Sequence, residues 1–260
     1  MLGAIIGDIV GSRFEWHNHK SKEFELFTSR CSPTDDSVMS LAVAKAILES
    51  QSDYSDLSSN AIKYMQLIGR LYPYCGFGGH FREWIQLDNP QPYRSYGNGA
   101  AMRISAVGFA GKNIEEVKRM SKLVTQISHN HPESFKGAEA TAVCIFLART
   151  GSSKEDIKDY VLNHYYSIDF TLDEIRDSYI FDVSCQGSVP QALEAFFESN
   201  SFEDAVRNAI SIGGDSDTIG AICGGIAEAY YGIPDDIREK ALCYLDPRLT
   251  DILNEFESKY

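Results

Sequence analysis

The residues of this chain best suited to chemistry are carboxylates gathered in two short clusters. One is Thr34-Asp35-Asp36; the other is Gly213-Gly214-Asp215-Ser216-Asp217-Thr218. Each stands directly before a stretch of helical periodicity. Asp, Ser and Thr suit helix starts, where their oxygens accept from free backbone N–H groups and complement the positive end of the helix dipole. Capping needs one oxygen per helix start, however, and each cluster offers at least three such side chains. If the two starts converge, four carboxylates and two hydroxyls form an all-oxygen ligand set. Such carboxylates repel one another unless some are protonated or a divalent cation sits among them. Oxygen donors suit Mg²⁺, Mn²⁺ or Ca²⁺ and not Zn²⁺. No EF-hand or His-Glu-x-x-His pattern occurs, so the site must be assembled from distant segments.

Other candidates are weaker singly. Gly3, Gly7 and Gly11 recur every four residues, and on a helix they form one stripe that lets a second helix approach closely. Asp8, between them, reads as a cap or a structural group. Glu15 follows, and by itself fits a surface salt bridge as well as a reacting carboxylate. The pairs His17/His19 and His129/His131 have a spacing that shares no helix face, which favours a phosphate hydrogen bond over a transition-metal site. Tyr96-Gly97-Asn98-Gly99 runs through a turn into Met102-Arg103, and free N–H groups there could cradle a diphosphate; a plain turn would look the same. No Gly-x-Ser-x-Gly elbow, Walker loop or dinucleotide fingerprint is present.

Helices must position these groups. Helical periodicity covers residues 36–50, 56–69, 79–86, 100–110, 114–128, 133–149, 153–166, 188–198, 202–212, 217–231 and 234–244. Thr34, Ser153 and Ser201 serve as helix starters. Only 180–183 alternates like a strand. The expected fold is all-α, one domain over residues 1–260, an orthogonal multi-helix bundle.

Bulk properties narrow the function. The 260 residues carry 24 Lys plus Arg against 37 Asp plus Glu, a formal charge of −13. Without a basic stripe, neither nucleic acid nor an anionic membrane is an expected partner. The six cysteines are scattered, with no CxxC pair, as in a reduced cytoplasmic protein without disulfides or zinc. The apolar N-terminus lacks a basic leader region, and Asp8 interrupts it.

Taken together and in order, the motifs resemble the ADP-ribosylglycohydrolase family, especially its short bacterial members. The matching segments are Gly3-Ala4-Ile5-Ile6-Gly7-Asp8 with Glu15, Thr34-Asp35-Asp36-Ser37, Gly76-Phe77-Gly78-Gly79-His80-Phe81-x-x-Trp84, Gly97-Asn98-Gly99-Ala100-Ala101-Met102-Arg103, Ser128-His129 through Gly137-Ala138, Gly187-Ser188-Val189-Pro190, and Gly214-Asp215-Ser216-Asp217-Thr218. The resemblance implies an all-α enzyme that hydrolyses the glycosidic bond between ADP-ribose and its acceptor. It implies two divalent cations at two helix N-termini, Mg²⁺ first and Mn²⁺ as an alternative. Thr34, Asp35 and Asp36 would ligate from one side and Asp215, Asp217 and Thr218 from the other. Glu15 would lie beside the reacting ribose, with Asp36 as a second catalytic carboxylate. Gly97, Asn98, Gly99 and Met102 would hold the substrate, His129 its diphosphate, and Gly187 and Ser188 would line the ligand. Relatives diverge around 76–84 and 88–96, so the resemblance implies no one leaving group; arginine-, serine- and acetyl-linked ADP-ribose all occur in the wider family. Rival readings are a nucleotide-diphosphate hydrolase, a non-catalytic ADP-ribose reader and a helical protein with a structural Mg²⁺. The oligomeric state is not legible.

Overall fold

Ten residues at the start of the chain, Leu2–Gly11, coil into a helix that is buried along its whole length. The computed structural model describes residues 1–260. It contains fifteen helices and no strand: α1 (Leu2–Gly11), α2 (Asp35–Leu48), α3 (Leu57–Gly69), α4 (Gly79–Gln86), α5 (Gly99–Met102), α6 (Ser105–Ala110), α7 (Ile114–Thr125), α8 (Pro132–Arg149), α9 (Lys154–His164), α10 (Leu172–Ile175), α11 (Cys185–Phe197), α12 (Phe202–Ser211), α13 (Ser216–Tyr231), α14 (Asp235–Leu242) and α15 (Pro247–Glu257). The fold is all-α, as expected.

At its centre α1 lies against α13, backbone to backbone. A Cβ on Gly7 would fall on the carbonyl oxygen of Gly220, and one on Gly3 would fall on that of Gly224. A Cβ on Gly11 would lie 2.6 Å from Asp217 Cα. The stripe read from the sequence is thus met by a second one, Gly220 and Gly224, on the partner helix. Helices usually pack about 8–10 Å apart with side chains between them; here the glycines remove those side chains at the crossing.

Around this pair the other helices complete one apolar core of 73 connected buried residues. α2, α8 and α13 are buried over most of their circumference, as expected of helices inside a core. The exposed-side helices are amphipathic, and their starts are capped: Asn113, Ser153, Ser201 and Asp246 each accept from a backbone N–H in the following turn.

Three features depart from the sequence expectation. The helix expected over 100–110 is two, α5 and α6, parted at Arg103 and Ile104, where the guanidinium turns inward to Ser128. α10 and α15 lie outside the expected set, and α1 was legible only through its glycine stripe, because it is apolar on every side and shows no period. Residues 180–183 form no strand; the sole pairing nearby is an antiparallel bridge between Gly97 and Ser184. No helix is long and apolar enough to cross a membrane.

Gly7→Ala should destabilise the protein by about 3 kcal/mol or more, because a methyl group has no space and backbone must move. Gly79→Ala, where nothing lies within 4 Å of the added carbon, should change stability by under about 0.5 kcal/mol. Urea unfolding of the two variants checks the contrast; equal midpoints would refute the close-packing account.

Candidate active site

The two acidic helix starts converge because α1 touches both. Asp8, on α1, is fully buried and caps α2 from outside that helix. It accepts from the backbone N–H groups of Thr34 at 2.9 Å and Ser37 at 3.0 Å, from Thr34 Oγ1 at 2.7 Å, and from Ser37 Oγ. The same helix is locked on α13 by its glycines, and α13 begins at Ser216. Gly213 and Gly214, with φ of +69° and +77°, make the left-handed turn that delivers Asp215 to that start. Side chains other than glycine adopt this conformation only with strain.

The result is a carboxylate cluster. Oxygens of Asp8, Asp36 and Asp217 lie within 4.8 Å of one another, and so do those of Glu15, Asp215 and Asp217. Asp217 belongs to both groups and joins them. Asp36 Oδ1 is buried without any hydrogen-bond partner. An orphaned carboxylate oxygen among other carboxylates fits a hard divalent cation, which prefers oxygen donors of this kind.

Glu15 reaches the cluster from the loop after α1. Asn18 holds that loop: its amide donates to the Glu15 carbonyl at 3.0 Å and the Gly214 carbonyl at 3.2 Å, and its Oδ1 accepts from Gly214 N–H at 2.8 Å. One side chain therefore ties Glu15 to the turn that carries Asp215. Asn98 does similar work from α5, donating to Asp215 Oδ2 at 2.7 Å and to Ser188 Oγ at 3.0 Å.

These groups line a cleft of ≈ 370 Å³. Its lining includes Glu15, Asp35, Asp36, Asp215, Asp217 and Thr218 together with Gly97, Asn98, Gly99, Met102, Arg103 and His129. The structure thus brings most of the expected residues to one cleft. Thr34 sits behind it, its hydroxyl turned to Asp8 and to Asp36 Oδ2 at 3.4 Å. Asp35 lines the cleft but faces Gly76, and belongs to neither tight carboxylate group. Gly187 and Ser188 are not among the lining residues. Gly187 packs on Asp182, and Ser188 is wholly buried, supporting Asn98. Sequence reasoning gave no role to Asn18 or Arg103. Asn18 carries no motif of its own, since Gly214, which it ties to the Glu15 loop, lies 196 residues away. Arg103 stood within a recognised segment, but its burial was not legible there.

Electrostatics follow from the crowding. Burial, then the charges of Asp215 and Asp8, push Glu15 up to about 7. Burial pushes Asp8 up to about 6 against four hydrogen bonds that oppose the shift. Asp35 rises to about 8, first by burial and then by Asp8. Asp36 and Asp217 are driven well above the usual carboxylate range, both by burial first, then Asp36 by the charge of Asp8 and Asp217 by that of Asp36. Burial and then Arg103 hold His129 well below the usual imidazole value.

Comparison with known proteins agrees with this architecture. The family model for ADP-ribosylglycohydrolase matches residues 1–258. ADP-ribosylhydrolase ARH3 of Homo sapiens is 25% identical, over 97% of this chain and 90% of its own length. ADP-ribosylarginine hydrolase Tri1 of Pseudomonas putida (strain GB-1) is 24% identical, over 90% of this chain and 70% of its own. The ADP-ribosyl-[dinitrogen reductase] glycohydrolase of Rhodospirillum rubrum is 28% identical over 59% of this chain and 52% of its own length. A solved structure titled ADP-ribosylglycohydrolase-related protein complex shares the fold, with a TM-score of 0.70 at 22% identity, covering 98% of this chain and 93% of that one. The chain belongs to the ADP-ribosylglycohydrolase family. It is accordingly a hydrolase of the glycosidase type.

The raised carboxylates set a sign for pH dependence. Their unfolded values lie near 4, so from about pH 4 to 8 the folded protein binds more protons, and its stability falls as pH rises through that interval. His129 acts oppositely, favouring the folded state above about pH 6.5, but it is one group against several. In EDTA the melting temperature should therefore fall between pH 5 and pH 8. Added Mg²⁺ should restore it, more at pH 8 than at pH 5, where protons compete. A melting temperature indifferent to both pH and Mg²⁺ would show that the cluster carries no such burden.

Proposed function

We propose that the protein is a metal-dependent hydrolase that releases ADP-ribose from an acceptor. The observation that carries this reading is one cleft lined both by the carboxylates of Glu15, Asp36, Asp215 and Asp217 and by Gly97–Gly99 and His129. ADP-ribose needs both: hydroxyl-bearing ribose at one end of a diphosphate and an anion-tolerant surface along it. Three relatives carry names for hydrolysis of ADP-ribosyl groups, which supports the same substrate class.

Asp36, Asp215 and Asp217, with Thr34, Asp35 and Thr218 around them, would hold two divalent cations, Mg²⁺ first and Mn²⁺ as the alternative. Bound there, cations supply charge neutralisation and Lewis acidity toward ribose oxygens. The protein groups do the rest. Asn98, braced by Ser188 and Asp215, holds the glycine turn against the ligand. His129 donates to a diphosphate oxygen. Glu15, kept beside Asp215 and Asp217 by Asn18, orients a water on the anomeric carbon and accepts its proton. The water oxygen bonds to that carbon as the bond to the acceptor breaks, and the proton taken by Glu15 passes, directly or through solvent water, to the departing atom. Positive charge gathers on the ribose in the transition state, where the surrounding carboxylates stabilise it. Asp36 serves first as a ligand. Gly187 and Ser188 act from behind the lining.

Glu15→Gln should lower kcat by about 10²–10⁴-fold while Mg²⁺ binding persists in calorimetry. Asp217→Ala should lose Mg²⁺ binding and turnover together; full activity in that variant would end the metal assignment. Titration of ADP-ribose into the protein with Mg²⁺, repeated in EDTA, tests the ligand: binding should require metal. Absence of binding in both states, with metal content verified, would reject the ADP-ribose reading.

A further inference from the structure

Arg103 is a buried guanidinium, 1% exposed, among the residues that line the cleft. Its hydrogen bonds run only to neutral atoms: Nη2 to Ser128 Oγ at 2.8 Å and to His129 Nδ1 at 3.4 Å. Nε has no partner. The face of Phe81 covers the cation at 5.1 Å. A cation buried without a bonded counter-ion is strongly unfavourable, so its charge must act on something nearby.

Geometry identifies what it acts on. A guanidinium only donates. Ser128 Oγ receives one of its N–H groups, which frees the serine hydroxyl hydrogen for His129 Nδ1, 2.9 Å away. The second contact from Nη2 also presents a donor to Nδ1. A nitrogen facing two donors must offer its lone pair, so the imidazole proton resides on Nε2. That atom faces the glycine turn: a Cβ on Gly99 would lie 3.2 Å from it and one on Gly97 3.7 Å. The two glycines leave its N–H uncovered.

We propose that Arg103, acting through Ser128, is a positioning residue that fixes His129 as its neutral Nε2–H tautomer and aims that donor at an anionic group in the cleft. The device suits a cleft that carboxylates also line. An imidazolium there would be drawn to the carboxylates and would vary with pH; a neutral N–H backed by a fixed cation does neither. Burial and Arg103 both disfavour protonation of the ring. The other titratable groups near the pair are Tyr93, whose ring lies 5.5 Å from His129, and Asp35 and Cys185, which act on Arg103. The anion is a diphosphate only if the ADP-ribose reading holds; the tautomer does not depend on that reading.

The test is a long-range proton–nitrogen correlation spectrum of the full chain labelled at histidine, with His129 assigned by the signal lost in His129→Gln. Wild-type protein should show His129 protonated at Nε2 alone, unchanged from pH 6 to 8. Ser128→Ala should bring mixed tautomers or a titration within that range. It should also weaken ADP-ribose binding in Mg²⁺ by roughly tenfold, the worth of one charge-assisted hydrogen bond, and raise KM more than it lowers kcat. Arg103→Lys should keep the tautomer better than Arg103→Gln. If the buried arginine variants fail to fold, Ser128→Ala decides alone. A wild-type His129 protonated at Nδ1, or at both nitrogens at pH 7, would overturn the proposal, as would an unaltered tautomer in Ser128→Ala. The stated tautomer in a protein that does not bind ADP-ribose would sustain it and remove the functional reading instead.

Discussion

Everything in this molecule that bears on function depends on the contact between α1 and α13. Glycine faces glycine along that crossing, and the two backbones meet without side chains between them. The benefit is positional. α1 carries Asp8, which organises the start of α2, and α13 carries Asp217 at its own start. A rigid crossing between them therefore sets the separation of two helix N-termini drawn from segments far apart in the chain. Close-packed interiors do not deform smoothly, so displacement at one glycine would be transmitted to the carboxylates.

The second governing term is electrostatic and runs against folding. Asp8, Asp36, Asp215 and Asp217 are buried together, and Glu15 leans over them. Nearby helix N-termini and backbone donors offset part of the repulsion, as the four hydrogen bonds to Asp8 illustrate. They do not reach Asp36 Oδ1, which stays without a partner. The protein thus keeps a locally unfavourable arrangement, and the large apolar core bears the difference. The cleft also holds a feature of opposite sign, the buried Arg103 with no bonded carboxylate. One cleft thus contains surplus negative charge and a sheltered positive charge, and Asn98 in its lining bonds to Asp215.

Much of this was legible along the chain. Thr34-Asp35-Asp36 and Asp215-Ser216-Asp217-Thr218 announce helix starts because capping chemistry is local: a side-chain oxygen within a few residues of the N–H it serves. The spacing of Gly3, Gly7 and Gly11 announces a close-packed face for the same reason. α15 carried its full signal too, with Asp246-Pro247 at its start and Leu249, Ile252, Leu253 and Phe256 on its buried side. α1 carried little periodicity, because a helix buried on all sides has no polar face to mark the period. The break at Arg103 was hidden for a related reason: 100–110 reads as one apolar helical run, and only the inward turn of one cation divides it.

What the sequence determined by itself is the set of local structures and the identity of the chemical groups: helices, caps, glycine faces, and two acidic clusters with a glycine turn and histidines. It could also say that an all-oxygen site exists if two helix starts meet. Only the tertiary structure decided that they do meet, that Asp217 joins two carboxylate groups while Asp35 stands aside, and that Ser188 supports Asn98 while Gly187 packs on Asp182. It alone placed Asn18 between Glu15 and Gly214, and Arg103 behind His129. The physical reason is range. Capping and periodicity act over a few residues and leave their mark in order along the chain, whereas burial, desolvation and contacts between distant segments depend on what packs against what, and no local pattern encodes that.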